Sequence, residues 1–405
     1  MSIYVTKTFL PPYEEYCRLL TKIWDTSVVT NQGPYVHELE QKIKKLLNLE
    51  HFQYVSNGTV ALQLALSALD IHDGEIITTP FSYVATTGSV LWERCTPVFA
   101  DIEPNNFTID TAGIEGLLTP ETRAILAVHV FGYACNTEEI EKIAKRHNLK
   151  VIYDGAHAFA SKYNGKSLLS FGDITTCSFH ATKLFHTVEG GACITKDRAI
   201  ADVIDLQKRF GQKKEEQLML GINAKQSEFH AAMGLVNLNY LSQNIAARKH
   251  ICELYDSLLD GILGRPAEQK NLEYNYAYYP VLFKSEKDLL GTFELLNKHD
   301  IYPRRYFHPS LNTLPYLKTR CSCPISEDIC SRIACLPLYT GLKDEEVKKI
   351  CSLIHQPKIL QKVTLQLTRS YPALSVHSDS NRLCSCPLPK KIPGDDIQTS
   401  YNCLI

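Results

Sequence analysis

The residues with the clearest chemical potential sit at three junctions between apolar runs and turns. Ser178-Phe179-His180-Ala181-Thr182-Lys183 closes a β-rich run and leads to Glu189-Gly190-Gly191. An amine held at such a strand end loses hydration, which lowers its pKa toward neutrality and lets the neutral form condense with an aldehyde. A plain solvated lysine is the competing reading, because most lysines lie on the surface. Val151-Ile152-Tyr153-Asp154 has the pattern of a buried strand ending in a carboxylate, followed by Gly155-Ala156-His157. Ligands of open α/β sheets collect at the carboxyl ends of strands. A carboxylate there can pair with a protonated pyridine nitrogen and keep the ring electron-withdrawing; capping the next helix is the alternative. Ser56-Asn57-Gly58-Thr59 opens a helical stretch. A helix N-terminus offers unsatisfied N–H groups and a positive dipole end, and Gly58 lets a phosphate approach the backbone. Ser and Asn are also ordinary N-caps.

Strands and crossover helices must carry these junctions. Residues 75–79, 97–101, 124–128, 150–154 and 175–179 read as strands, and 59–69, 84–92 and 137–146 carry apolar residues at helical spacing. The alternation predicts an α/β large domain over residues 1–240, with a mostly parallel sheet sandwiched by helices. A long helical pattern from Ser227 to Asp260 predicts a connecting helix. A strand over 276–283 and helices over 286–298 and 344–354 predict a small α+β domain at 241–355. Residues 356–405 are rich in Ser, Pro, Lys and Cys with weak periodicity, which predicts a poorly ordered tail.

Composition narrows the partners. At 405 residues and 44% hydrophobic, the chain can bury a sizeable core. Its 43 Lys plus Arg against 44 Asp plus Glu leave a net charge of −1, which gives no general attraction for nucleic acid or acidic membranes. No window approaches the roughly 18 apolar residues of a membrane span, and the start lacks a secretory pattern, so the expected location is cytoplasmic. Of the 14 cysteines, Cys95, Cys135, Cys177 and Cys193 read as small core residues. Cys321, Cys323, Cys330 and Cys335 lack metal-site spacing, so no metal is expected.

Taken together, the ordered motifs resemble the DegT/StrS-type nucleotide-sugar aminotransferases, which have the type-I, aspartate aminotransferase-like fold and depend on pyridoxal 5′-phosphate. The resemblance spans roughly residues 3–355. It rests on the three junctions above and on Thr30-Asn31-Gln32-Gly33-Pro34, Pro80 to Thr86, Glu189-Gly190-Gly191 and Gly221-Ile222-Asn223. It implies that Lys183 bonds the cofactor aldehyde and then shuttles protons, that Asp154 binds the pyridine nitrogen and that Tyr83 stacks on the ring. His157, at a position that is often Gln, would donate to the phenolic oxygen. Ser178 with Gly58 and Thr59 would hold the phosphate, His180 would lie beside the cofactor, and Asn223 would reach the phosphate from a partner subunit. The implied assembly is a homodimer with composite sites. The chain departs from the family at Lys225 and Gln226, where Arg and Met are frequent.

Within that family, the runs Tyr4 to Lys7, Phe9 to Pro12, Ser178 to Glu189 and Ser227 to Gly234 look most like enzymes making dTDP-4-amino-4,6-dideoxyglucose. That likeness implies dTDP-4-keto-6-deoxyglucose and L-glutamate as substrates and a surface-polysaccharide precursor as product. Thr30, Asn31, Glu189, Arg304, Arg305, Tyr306 and His308 are the expected sugar-nucleotide contacts, Arg suiting a diphosphate through its fork of donors. A 3-ketosugar aminotransferase and a pyridoxal-phosphate-binding regulator without turnover are the competing readings. A dehydratase is disfavoured because that branch of the family has His where this chain has Lys183.

Overall fold

The structure is a computed structural model that describes residues 2–318 and 321–355, and its main compact unit spans Met1–Ile354. The tail expected to be poorly ordered lies outside the described residues.

Seven strands form the central sheet: β1 (His51–Val55), β2 (Glu75–Thr78), β3 (Thr96–Phe99), β4 (Thr122–Val128), β5 (Lys150–Asp154), β6 (Ile174–Ser178) and β7 (Gly191–Thr195). Their spatial order is β1-β7-β6-β5-β4-β2-β3. All pairs are parallel except those of β7, which runs antiparallel to both β1 and β6. The strands are apolar runs because helices cover both faces; in β4 only Arg123 escapes full burial. The five predicted strands are present with ends shifted by no more than two residues. β1 and the reversed β7 complete the sheet beyond them.

Register brings the motifs together. Gly191 pairs with Val55 on one side and Ser178 on the other, so the Gly-Gly turn, the Ser56–Thr59 junction and Ser178 share one rim. A Cβ on Gly191 would stand 2.4 Å from the carbonyl carbon of Asn57, so only glycine permits that approach.

The flanking helices are α1 (Tyr13–Thr26), α2 (Pro34–Leu47), α3 (Gly58–Ala68), α4 (Val84–Trp92), α5 (Thr137–His147) and α6 (Arg198–Gln207). Asn57 caps α3 by accepting from the Val60 N–H at 2.9 Å. Helix α5 follows an Asn136 cap, with Glu138 and Glu139 in its first turn and Lys145, Arg146 and His147 in its last, matching the helix dipole.

The single connecting helix predicted from Ser227 to Asp260 is two helices, α7 (Glu228–Leu238) and α8 (Leu241–Leu259). Tyr240 leaves helical geometry (φ −104°, ψ 0°), and its hydroxyl donates to Glu15 of α1 at 2.5 Å. Beyond α8, helices α9 (Glu286–Asn297) and α11 (Asp344–His355) pack on a core that includes Tyr255, Val281, Leu289, Ile301, Ala334 and Ile350, while α10 (Pro324–Arg332) buries Ile329 and Cys330 in a neighbouring cluster with Phe81, Phe131 and Phe307. The strand predicted over 276–283 shrinks to Pro280–Leu282, because Tyr276 sits at φ +54°, outside extended geometry. Ile3–Tyr4 pairs in parallel with Ile301–Tyr302, tying the start of the chain to this region.

Candidate active site

Strands β5 and β6 end side by side, and their carboxyl ends deliver the acid and the amine. Asp154 closes β5 and is 7% exposed. Its carboxylate accepts from the Thr86 hydroxyl at 2.8 Å and from the Ala156 N–H at 3.0 Å. Burial pushes its pKa up, while Thr86, Ala156 and the nearby Lys183 charge pull it back. Lys183 follows the β6 end and is partly buried; its Nζ donates to the Tyr278 hydroxyl at 3.2 Å. Burial lowers its amine pKa, and Tyr306, Asp154, Cys177 and Tyr83 lie close enough to offset that electrostatically. Such a site favours the neutral, nucleophilic amine.

His157 stands across from that amine, 6% exposed. Its Nδ1 accepts from the Phe131 N–H at 3.1 Å, which leaves the ring proton on Nε2. The imidazole stacks on Phe307 at 5.7 Å, and Tyr278 meets it edge-on at 4.7 Å. Burial holds its pKa well below the ordinary value, the Lys183 charge adding to this, so His157 is a neutral N–H donor at physiological pH.

The third junction forms a cradle. Gly58 and Thr59 are the first two residues of α3, so their N–H groups have no partner within the helix. A Cβ on Gly58 would come within 2.9 Å of the Ser178 Cβ, so the helix start and Ser178 are in contact across the sheet rim. Tyr83 sits just before α4 and is 55% exposed, leaving a ring face free. His180 Nδ1 is 2.8 Å from the Thr182 hydroxyl, and its Nε2 is 3.6 Å from the Glu189 carboxylate.

The expected sugar-nucleotide contacts are less uniform. Tyr306 belongs to the amine's surroundings: burial raises its phenol to about 12, Lys183 acts on it electrostatically, and its ring meets Tyr278 at 5.8 Å. The Arg304 guanidinium lies 5.0 Å from the Tyr306 ring centre. Arg305 departs from the expectation of a diphosphate contact. Its guanidinium donates to Glu286 at 2.7 Å and to the Ser331 carbonyl at 2.6 Å, so it holds the segment to α9 and α10. His308 is exposed, as are Thr30 and Asn31 on the α1–α2 loop. Asn223 is also exposed, its side-chain oxygen accepting from Lys225 at 2.7 Å. These four lie apart from the described contacts of Lys183.

Two residues of the site carry no sequence signal of their own. Thr86 lies inside the Pro80–Thr86 motif, yet nothing in its type reveals that it holds Asp154. Tyr278 is one of four tyrosines between residues 274 and 279, and only the fold separates it from Tyr274, Tyr276 and Tyr279.

Known proteins resemble this chain over most of its length. The family model for the DegT/DnrJ/EryC1/StrS aminotransferases matches residues 13–355. The chain is 40% identical to a dTDP-4-amino-4,6-dideoxy-D-glucose transaminase from Escherichia coli, the match covering 87% of this chain and 98% of that protein. It is 32% identical to a GDP-perosamine synthase from Escherichia coli O157:H7, over 82% of this chain and 92% of the other. The crystal structure of DesI with its TDP-sugar product superposes with a TM-score of 0.84 at 27% identity, covering 90% of this chain and 95% of DesI. The acid, the amine and the helix-start cradle thus stand on a scaffold matched over residues 13–355: this chain belongs to the DegT/DnrJ/EryC1/StrS aminotransferase family.

Proposed function

We propose that the chain transfers the amino group of L-glutamate to C4 of dTDP-4-keto-6-deoxy-D-glucose, giving dTDP-4-amino-4,6-dideoxy-D-glucose, with pyridoxal 5′-phosphate as cofactor. The observation that carries this reading is the convergence of a desolvated amine, a buried carboxyl and a neutral imidazole donor on one sheet rim, beside a free helix N-terminus. The 40% identity to a transaminase of that name supports the sugar.

The donor set fits a phosphorylated pyridine aldehyde. The Gly58 and Thr59 N–H groups and the Ser178 hydroxyl suit the phosphate, Asp154 the ring nitrogen, His157 Nε2 the phenolic oxygen and Tyr83 a ring face. When bound, the cofactor supplies an aldehyde for amine exchange and a ring that withdraws electrons. Asp154 would keep that ring protonated, its own charge steadied by Thr86 and Ala156. The Lys183 amine, when free, would take up and deliver a proton at the reacting carbon through Nζ. Arg304 and Tyr306 border the sugar side.

The working unit is a homodimer with Asn223 reaching the neighbouring site. Supporting this, Phe210, Leu218, Leu220 and Ile222 are large apolar residues exposed on the same segment as Asn223, with Trp24, Val28 and Val29 exposed on α1 and the loop after it. A cytoplasmic setting suits the described cysteines, which are free thiols; among the described residues no helix is long and apolar enough to cross a membrane.

The test is incubation of the purified protein with dTDP-4-keto-6-deoxyglucose and glutamate, followed by NMR of the product. An amine at C4 is expected. Amination at C3 transfers the reading to a 3-ketosugar enzyme, and tight cofactor binding without turnover of either sugar replaces it with the regulator.

A further inference from the structure

The Lys183 amine has one direct hydrogen-bond partner in the described structure, the phenol of Tyr278 at 3.2 Å, and that ring is fixed on several sides. Its edge meets His157 at 4.7 Å, Phe131 tilts against it at 5.7 Å and Tyr306 crosses it at 5.8 Å. The Tyr274 hydroxyl donates to the Tyr278 carbonyl at 3.0 Å, pinning the backbone as well. A ring held this firmly gives its hydroxyl little freedom to follow a wandering amine, so the amine must come to it.

We propose that Tyr278 is a positioning residue for Lys183, its phenol donating to the neutral amine, accepting from the ammonium, and keeping Nζ at the reacting edge of the rim whenever the amine is free. This assignment rests on the aminotransferase reading above. A phenol suits the task because one oxygen can act as donor or acceptor, whereas a carboxylate would lock the amine in its charged form. The other ionisable groups facing Lys183 are Asp154, Cys177, Tyr83, Tyr306 and His157, and those facing Tyr278 are His157, Tyr306, Arg248, Arg304 and Cys335. No other one of them is hydrogen-bonded to Nζ among the described contacts. Burial keeps the Tyr278 phenol protonated, since it pushes that pKa up.

The test is Tyr278→Phe in the full chain, read in two ways. With cofactor present, kcat is expected to fall about tenfold while the sugar KM stays nearly unchanged, because the lost bond serves amine placement and not sugar binding. In the cofactor-free chain, reductive methylation of Lys183 by formaldehyde and cyanoborohydride is followed by peptide mass spectrometry across pH. The ammonium's bond to the phenol is charge-assisted and stronger than the neutral amine's, so its loss favours the neutral form. The midpoint for labelling is expected to move down by about one pH unit. An unchanged midpoint together with an unchanged kcat overturns the proposal.

Should the Phe variant fold poorly, 3-fluorotyrosine at position 278 keeps the ring and acidifies the phenol. A smaller downward shift supports the role, and no shift overturns it. The labelling midpoint does not depend on any sugar, so a wild-type enzyme that fails to aminate dTDP-4-keto-6-deoxyglucose ends the substrate assignment while Tyr278 is still judged by the cofactor-free measurement.

Discussion

Two lysines are taken out of water in this molecule, and their surroundings could hardly differ more. Lys208, at the end of α6, is completely buried, with Glu40 at 3.3 Å, Asp205 at 3.6 Å and the Gln53 amide oxygen at 2.8 Å around its ammonium. Lys183 is less buried, yet no carboxylate lies within ion-pair reach among its described contacts, and a phenol is its partner. Burial therefore does not by itself make a lysine reactive. Paired with carboxylates it becomes a structural post; denied them, it is left with a tunable proton.

The sharpest way to break this contrast is to remove each amine. Lys183→Ala should lower turnover on the order of 10⁴-fold and abolish borohydride-trapped cofactor, with thermal unfolding showing a folded protein. A reducible adduct that survives the substitution would end the assignment of the amine. Lys208→Met should act on folding, costing about 3 kcal/mol by leaving the buried Glu40 without its cation, while Asp205 keeps Arg209 and Gln32; urea titration measures it, and a loss of activity at full stability would reverse the roles assigned here.

Smaller changes sharpen the comparison. Thr86→Val removes a donor that favours the charged Asp154, so that carboxyl's pKa should rise further. Turnover should drop about tenfold, the size of one lost hydrogen bond to a charged group, and the acidic limb of the pH–rate profile should move to higher pH; a shift to lower pH contradicts the arrangement. Arg305→Ala, which loses contacts to Glu286 and Ser331, should cost about 1 kcal/mol of stability with the sugar KM unchanged. A raised KM would return Arg305 to the substrate. Least of all, deleting residues 356–405 should leave activity as it was, since the family match ends at 355.

Local patterns made the parallel core legible: β4 carries the apolar stretch Ala124–Val128 and β5 the stretch Val151–Tyr153, and α5 announces both of its ends with Asn136 and a basic last turn. The positions of the motif residues were legible as well, since Asp154 closes one such run and Lys183 stands in the turn just after another. What the sequence hides depends on distant partners. Strand β7 follows a Gly-Gly turn, and its reversal is settled by register with β1 and β6. Arg305 looks like a phosphate ligand until Glu286, nineteen residues away, is seen to hold it. Tyr276 interrupts a convincing strand pattern through a positive φ that its residue type does not announce. Tyr278 becomes distinctive only when the fold carries it to Lys183.

The parallel pairing of Ile3–Tyr4 with Ile301–Tyr302 has a practical corollary. Three residues after Tyr302 comes the Arg305–Tyr306 turn, and Val5 on the other strand accepts from the Leu338 N–H at 3.0 Å. A purification handle fused ahead of Ile3 therefore begins beside a pairing that leads directly to Arg305 and Tyr306, and kinetics are best measured after it is cleaved off.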